Sequence, residues 1–145
     1  MTINTIIFDL GNVLIPWEPR WLFRKLLANE AQVEHFLQEG DFNAWNAAHD
    51  AGQPFAIGIE QHGAKHPQHR HLLEAYFERW EESVAAPFEE SVSLLHELKA
   101  AGFRLLALTN FSAETFPRAR RLYDFLDEFE GIVVSGDEGL IKPEP

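Results

Sequence analysis

The side chains here that could do chemistry are few, and they stand at the ends of short apolar runs. Asp9 follows Thr5-Ile6-Ile7-Phe8 and precedes Gly11-Asn12. A carboxylate held there can attack phosphorus and form an acyl phosphate, as carboxylate nucleophiles do. The competing reading is a plain turn or helix cap, where Asp is also favoured. Thr109 and Asn110 close a second run, Phe103 to Leu108, and offer a hydroxyl and an amide to a phosphoryl oxygen or, equally, a helix N-cap. Lys142 stands between Gly139-Leu140-Ile141 and Pro143. It would bring a cation to the same edge; taken alone it reads as a solvated surface lysine.

These positions need a common scaffold, and the chain supplies the pattern of one. Thr5 to Phe8 reads as a buried parallel strand that breaks at Asp9. Glu89 to Ala101 places Val92, Leu95 and Leu98 at helical spacing, with acids in the first turn and Gly102 just past the end. A strand over 103–108, a helix through Arg118-Ala119-Arg120-Arg121-Leu122, a strand at Ile132-Val133-Val134 and a loop at Ser135-Gly136-Asp137 complete the alternation. Strands alternating with helices predict an α/β fold: a Rossmann-like parallel sheet with helices on both faces and ligands beyond the C-terminal strand ends. Asp9, Thr109 and the Ser135 loop would then converge. Between Trp17 and Pro87 the chain changes to helical stretches rich in Trp, Phe and His, which reads as a helical insertion.

Composition limits the partners. The 145 residues suit one compact core with an insertion, and 46% hydrophobic residues make a buried interior affordable. A formal charge of −11 disfavours nucleic acid and anionic membranes, yet leaves room for a small anion in a cleft. With no cysteine, disulfides, thiolate nucleophiles and Cys metal sites are all absent. MTINTIIFDL carries no signal-peptide pattern, so a cytoplasmic location is the expectation.

Phe8-Asp9-Leu10-Gly11-Asn12-Val13-Leu14, then Leu108-Thr109-Asn110, then Ser135 to Pro143 resemble, in order and spacing, the first three motifs of haloacid dehalogenase (HAD) superfamily phosphatases. The likeness is to the sugar-phosphatase and epoxide-hydrolase N-terminal phosphatase-like branch. It implies an incomplete HAD-like core over 1–15 and 88–145, with a helical cap over 16–87. It further implies Asp9 as nucleophile and magnesium ligand, the Gly11 carbonyl as a second Mg²⁺ ligand, and Thr109, Asn110 and Asn12 as substrate-binding residues. Lys142 would hold Asp9 and the phosphate together. The substrate would be a small phosphorylated metabolite such as a sugar phosphate, hydrolysed through an aspartyl-phosphate.

Two departures from that pattern matter. The family's leaving-group acid stands two residues after the nucleophile, and here that position is Gly11, so the proton must come from elsewhere. The fourth, acidic motif would fall beyond Pro145, so the chain is expected to be a fragment or a truncation. A 2-haloacid dehalogenase, needing no metal, and a non-catalytic remnant are the alternatives. Two further groups invite a functional reading: His62, His66, His69 and His71 as a metal site, and Trp17, Trp21, Trp45 and Trp80 as a lid. Exposed polar residues and ordinary packing are the competing readings, with Trp17 and Asn12 best placed for a cleft. The substrate and the oligomeric state are not legible in the sequence.

Overall fold

The computed structural model describes all of residues 1–145. Strands β1 (Thr5–Phe8), β2 (Arg104–Thr109) and β3 (Gly131–Val134) form one parallel sheet in the order β1-β2-β3. The register pairs Ile6 with Leu105, Phe8 with Ala107, Ala107 with Ile132 and Thr109 with Val134. Partners in register point to the same face, so these residues make one apolar surface. On it Leu105, Ala107, Thr109 and Val134 are buried.

Two helices lie in the connections that return to this sheet. α6 (Glu89–Ala100) leads into β2, and α7 (Phe116–Leu122) lies between β2 and β3. The strand order advances in one direction, and right-handed crossovers then place both helices on the same face. Leu95 of α6 and Phe116 and Ala119 of α7 join the buried cluster with Leu105 and Ala107. The opposite face, which carries Ile7, Leu106, Leu108 and Val133, is open: Ile7 is 63% and Val133 46% exposed. α6 and α7 thus cover one face of the sheet.

Between β1 and α6 run α1 (Arg20–Leu26), α2 (Glu30–Glu39), α3 (Phe42–Asp50), α4 (Phe55–Lys65) and α5 (Arg70–Glu78), with 3-10 turns at Pro67–His69 and Trp80–Ser83. Their starts follow local chemistry. The Asn29 side chain accepts the Gln32 N–H at the head of α2, and Asp41 accepts the Ala44 N–H at the head of α3. Inside the layer Phe23 meets Phe36 and Phe42 edge to face at 4.7 and 5.5 Å. α3 and α4 approach closely at Gly58, where an added Cβ would lie 2.2 Å from His49 Cε1.

The helical layer and the sheet share one continuous apolar core, from Phe23 and Tyr76 to Leu105 and Val134. Arg118 on α7 ties them together: its guanidinium pairs with Glu81 and donates to the Phe77 and Glu78 carbonyls. Three arginines on one short helix, Arg118, Arg120 and Arg121, are the ordinary pattern of a solvated face. Arg118 departs from it because these partners satisfy its donors. After β3 the expected loop is one helical turn, α8 (Ser135–Glu138), ended by Gly139 at φ +74°. No helix is long and apolar enough to cross a membrane.

Candidate active site

The segment after β1 folds back sharply. The Leu10 carbonyl accepts the N–H groups of Val13, Leu14 and Ile15, while the Asn12 N–H donates to the Ile15 carbonyl. Asn12 takes a left-handed φ of +55°, which Asn tolerates better than most residues, and its Oδ1 accepts the Trp17 N–H at 2.9 Å. Leu14 and Ile15 are driven inward, which leaves Asp9, Gly11 and Asn12 at the mouth of a cavity of about 200 Å³. The peptide groups of Gly11 enter no backbone hydrogen bond, so its N–H faces no competitor for an anion and its C=O none for a cation.

Across the sheet edge, Lys142 places Nζ 3.1 Å from Asp9 Oδ2 and 2.9 Å from the Leu108 carbonyl. It is held there by Asn110, whose Oδ1 accepts the Lys142 N–H at 2.8 Å and whose Nδ2 donates to the Lys142 carbonyl at 3.3 Å. Asp9 Oδ1 in turn accepts the Leu10 N–H at 2.8 Å. One ammonium and one backbone N–H thus fix the carboxylate. Both charged side chains are substantially exposed, so their pairing adds little to stability.

Of the sequence candidates, Asp9, Gly11, Asn12, Asn110 and Lys142 line one cavity. Thr109 does not. It is 1% exposed on the covered face, and its Oγ1 is buried without a hydrogen-bond partner. The amide of Asn110, expected to contact a phosphoryl group directly, is occupied in holding Lys142.

The aromatic candidates divide. Trp17 and Trp80 line the cavity, Trp45 packs inside the helical layer against Phe42 and His49, and Trp21 faces solvent. The histidines lie elsewhere. His62, His66 and His69 stack with ring centroids 4.9 to 5.8 Å apart, and the buried His69 pairs with Glu39. No group of three or more His or acidic side chains is arranged to hold a metal.

The remaining walls come from residues that the sequence reading did not single out: Asn46 and Asp50 of α3, Phe55, Tyr76, Phe111 and Thr115. Trp17 Nε1 donates to Tyr76 Oη at 3.1 Å, Tyr76 donates to Asn46 Oδ1 at 3.3 Å, and Asn46 Nδ2 donates to Asp50 Oδ2 at 3.3 Å. Burial pushes the Asp50 carboxyl up to about 7 and raises the Tyr76 phenol well above its ordinary range. The i, i+4 spacing of Asn46 and Asp50 was the available signal, but only the tertiary fold shows that this side of α3 faces Asp9.

For a magnesium ion the chain offers the half-exposed Asp9 carboxylate and the unengaged Gly11 carbonyl. Such a sparse oxygen set suits Mg²⁺, which is commonly held by one or two carboxylates with waters and substrate phosphate oxygens completing the octahedron.

Residues 3–145 match the haloacid dehalogenase-like hydrolase family. The chain belongs to that family. The HAD hydrolase is 28% identical over 149 residues to the sesquiterpene phosphatase AstK of Aspergillus oryzae, covering 99% of this chain and 69% of the relative. Among solved structures it resembles a HAD family enzyme of Bacteroides thetaiotaomicron, an aspartate-to-alanine mutant in complex with magnesium and inorganic phosphate. That likeness has a TM-score of 0.69 at 15% identity, over 99% of this chain and 74% of the other. Another structure of the same enzyme gives 0.65 at 18% identity, with 100% and 74% covered. At these identities the structures support the α/β fold.

Proposed function

We propose that this HAD hydrolase is a magnesium-dependent phosphatase of small phosphorylated metabolites, working through an aspartyl-phosphate on Asp9. The observation that carries this reading is the Asp9–Lys142 pair, 3.1 Å apart at the C-terminal sheet edge beside the free peptide groups of Gly11. Asp9 would attack phosphorus, and Lys142 would hold the nucleophile in position and offset charge on the phosphoryl oxygens. Magnesium bound at Asp9 and Gly11 would neutralise substrate charge and orient the phosphate. Asn12, with its Nδ2 uncommitted, and the Gly11 N–H would meet the phosphoryl oxygens. Thr109 would join them only after its side chain turned toward the cavity. Residues 16–87 would act as a cap that supplies the leaving-group side of the pocket.

A sugar phosphate fits the family branch that the motifs resemble. The cavity wall favours a second substrate class, because Ile15, Trp17, Phe55, Tyr76, Trp80, Val84 and Phe111 surround the leaving-group side. An apolar carbon skeleton, such as the isoprenoid named for AstK, gains more than a polyol from such a wall. Hydrolysis of p-nitrophenyl phosphate with and without Mg²⁺ tests the central reading. Turnover that needs Mg²⁺ and is lost in Asp9→Asn is expected. Metal-independent release of halide from a 2-haloacid would instead establish a dehalogenase. Comparing a hexose phosphate with a terpenyl monophosphate separates the two substrate classes.

A further inference from the structure

We propose that Asp50, delivered by α3, is the proton donor to the leaving group, replacing the acid that Gly11 cannot supply. This rests on the phosphatase reading above and adds to it one catalytic residue. Three observations carry it. Asp50 lines the same cavity as Asp9 and Lys142 and belongs to the helical layer, on the side where the leaving group must lie once phosphorus faces Asp9. Its backbone is anchored to the core, because Ser135 Oγ donates to the Asp50 carbonyl at 2.5 Å, while Ser135 Oγ itself accepts the Phe111 N–H at 2.9 Å. The carboxyl is therefore fixed relative to the sheet edge that carries the nucleophile.

The third observation is the direction of the hydrogen-bond chain. An indole N–H can only donate, so Tyr76 Oη must accept from Trp17 and must send its own proton to Asn46. The Asn46 amide is thereby oriented with Oδ1 toward Tyr76 and Nδ2 toward Asp50. Asp50 Oδ2 is then an acceptor, and a proton on this carboxyl resides on Oδ1, the oxygen without a protein partner. Desolvation keeps that proton in place up to about neutral pH. The elements packed against α3 carry further ionisable groups, Glu30, Glu34, His35 and Glu39 on α2, Glu60, His62 and Lys65 on α4, and Asp137 and Glu138 on α8, while His49 stands beside Asp50, Glu114 follows β2, and Tyr76, Asp9 and Lys142 share the cavity wall. His49 is turned away, with Nδ1 at the Gln53 carbonyl.

The chemistry balances. An Asp9 oxygen forms a bond to phosphorus as the phosphorus–ester oxygen bond breaks. The electron pair stays on the ester oxygen, which takes the Asp50 proton and leaves as an alcohol. Water then attacks the aspartyl-phosphate, gives its proton to the Asp50 carboxylate and releases phosphate, which restores both carboxyl groups.

The test compares a leaving group that needs no proton with one that does, in the 145-residue chain with Mg²⁺. Asp50→Asn is expected to lower kcat/KM, which reports transfer of the phosphoryl group to Asp9, by about 100-fold or more for an unactivated alkyl phosphate and by less than about threefold for p-nitrophenyl phosphate, while kcat falls on both because they share the hydrolysis of the aspartyl-phosphate. Asp50→Glu should recover part of the alkyl phosphate activity. In the unsubstituted protein the ratio of alkyl to p-nitrophenyl kcat/KM should fall above about pH 7, a readout that survives even if Asp50→Asn misfolds. A protonated-carboxyl infrared band present at pH 6 and lost in Asp50→Asn would support the same assignment without any turnover.

Equal losses of kcat/KM on both substrates, or a kcat/KM ratio flat with pH, would overturn the role of Asp50 and leave the phosphatase reading standing, provided that p-nitrophenyl phosphate is turned over and Asp9→Asn is inert. An unsubstituted chain inactive on both substrates would overturn both.

Discussion

Asn110 illustrates how a residue can matter to a site without touching substrate. Its amide holds the Lys142 backbone from both sides, and Lys142 in turn reaches Asp9. Asn110→Ala should therefore lower kcat by roughly 10- to 100-fold with little change in KM, since small misplacements of a charged group cost that much. Steady-state kinetics on p-nitrophenyl phosphate, with a thermal melt to confirm folding, would check this. Gly11 is the converse case: a Cβ placed there meets nothing within 4 Å. An aspartate at that position has room, so Asp50→Asn with Gly11→Asp is expected to regain alkyl phosphate turnover lost in Asp50→Asn alone. The positions of Asp9, Gly11, Asn12, Asn110 and Lys142 in one cavity were legible in the sequence because each closes an apolar run or follows one closely. Asp50 was not, because an Asp at the end of a polar helix face looks like any solvated carboxylate until the opposing element is known.

Among the elements, α8 shows how closely the third motif region seats against its neighbours. At Gly136 an added Cβ would lie 2.3 Å from the Ala113 backbone nitrogen and 2.8 Å from the Phe111 carbonyl oxygen. Because those atoms are main chain, Gly136→Ala must displace the 111–113 segment. It should destabilise the protein by about 1–3 kcal/mol, measured as a shift in denaturant midpoint at constant slope. Across the other junction, Arg118→Ala strands the Glu81 carboxylate and the Phe77 carbonyl. A loss of about 1–3 kcal/mol is expected, largely recovered in no single conservative change, since Lys cannot reproduce the fork. The strands and α6 were readable from periodicity and end signals, each displaced by one or two residues at most. The role of Arg118 was not, because three arginines within four residues on a short helix resemble a solvent face, and only the tertiary approach of Phe77 to Glu81 separates one from the others.

For the molecule as a whole, the raised Asp50 carboxyl links folding to pH. The folded state holds this proton more tightly than the unfolded chain, where the group has an ordinary value near 4. Its stabilising contribution is complete below that value and is lost as pH rises through about 7. The buried His49, whose imidazole is held neutral by desolvation, contributes in the opposite sense, with stability lost as pH falls below its ordinary range. The difference between Asp50→Asn and the unsubstituted protein isolates the carboxyl: the variant should gain relative stability between pH 4 and about 7, read from urea midpoints across that interval. Parallel topology was predictable from alternation, whereas the strand order β1-β2-β3, and with it which face stays open, is set by long-range pairing. That open face, with Ile7, Leu106, Leu108 and Val133, lies along the flank of the strands, whereas the cavity sits at their tips. Handling properties and turnover are therefore separable by design. Ile7→Thr and Val133→Thr keep β-branched shapes suited to strands; they should reduce dye-binding hydrophobic surface and self-association in concentrated samples while leaving the rate constants where they were.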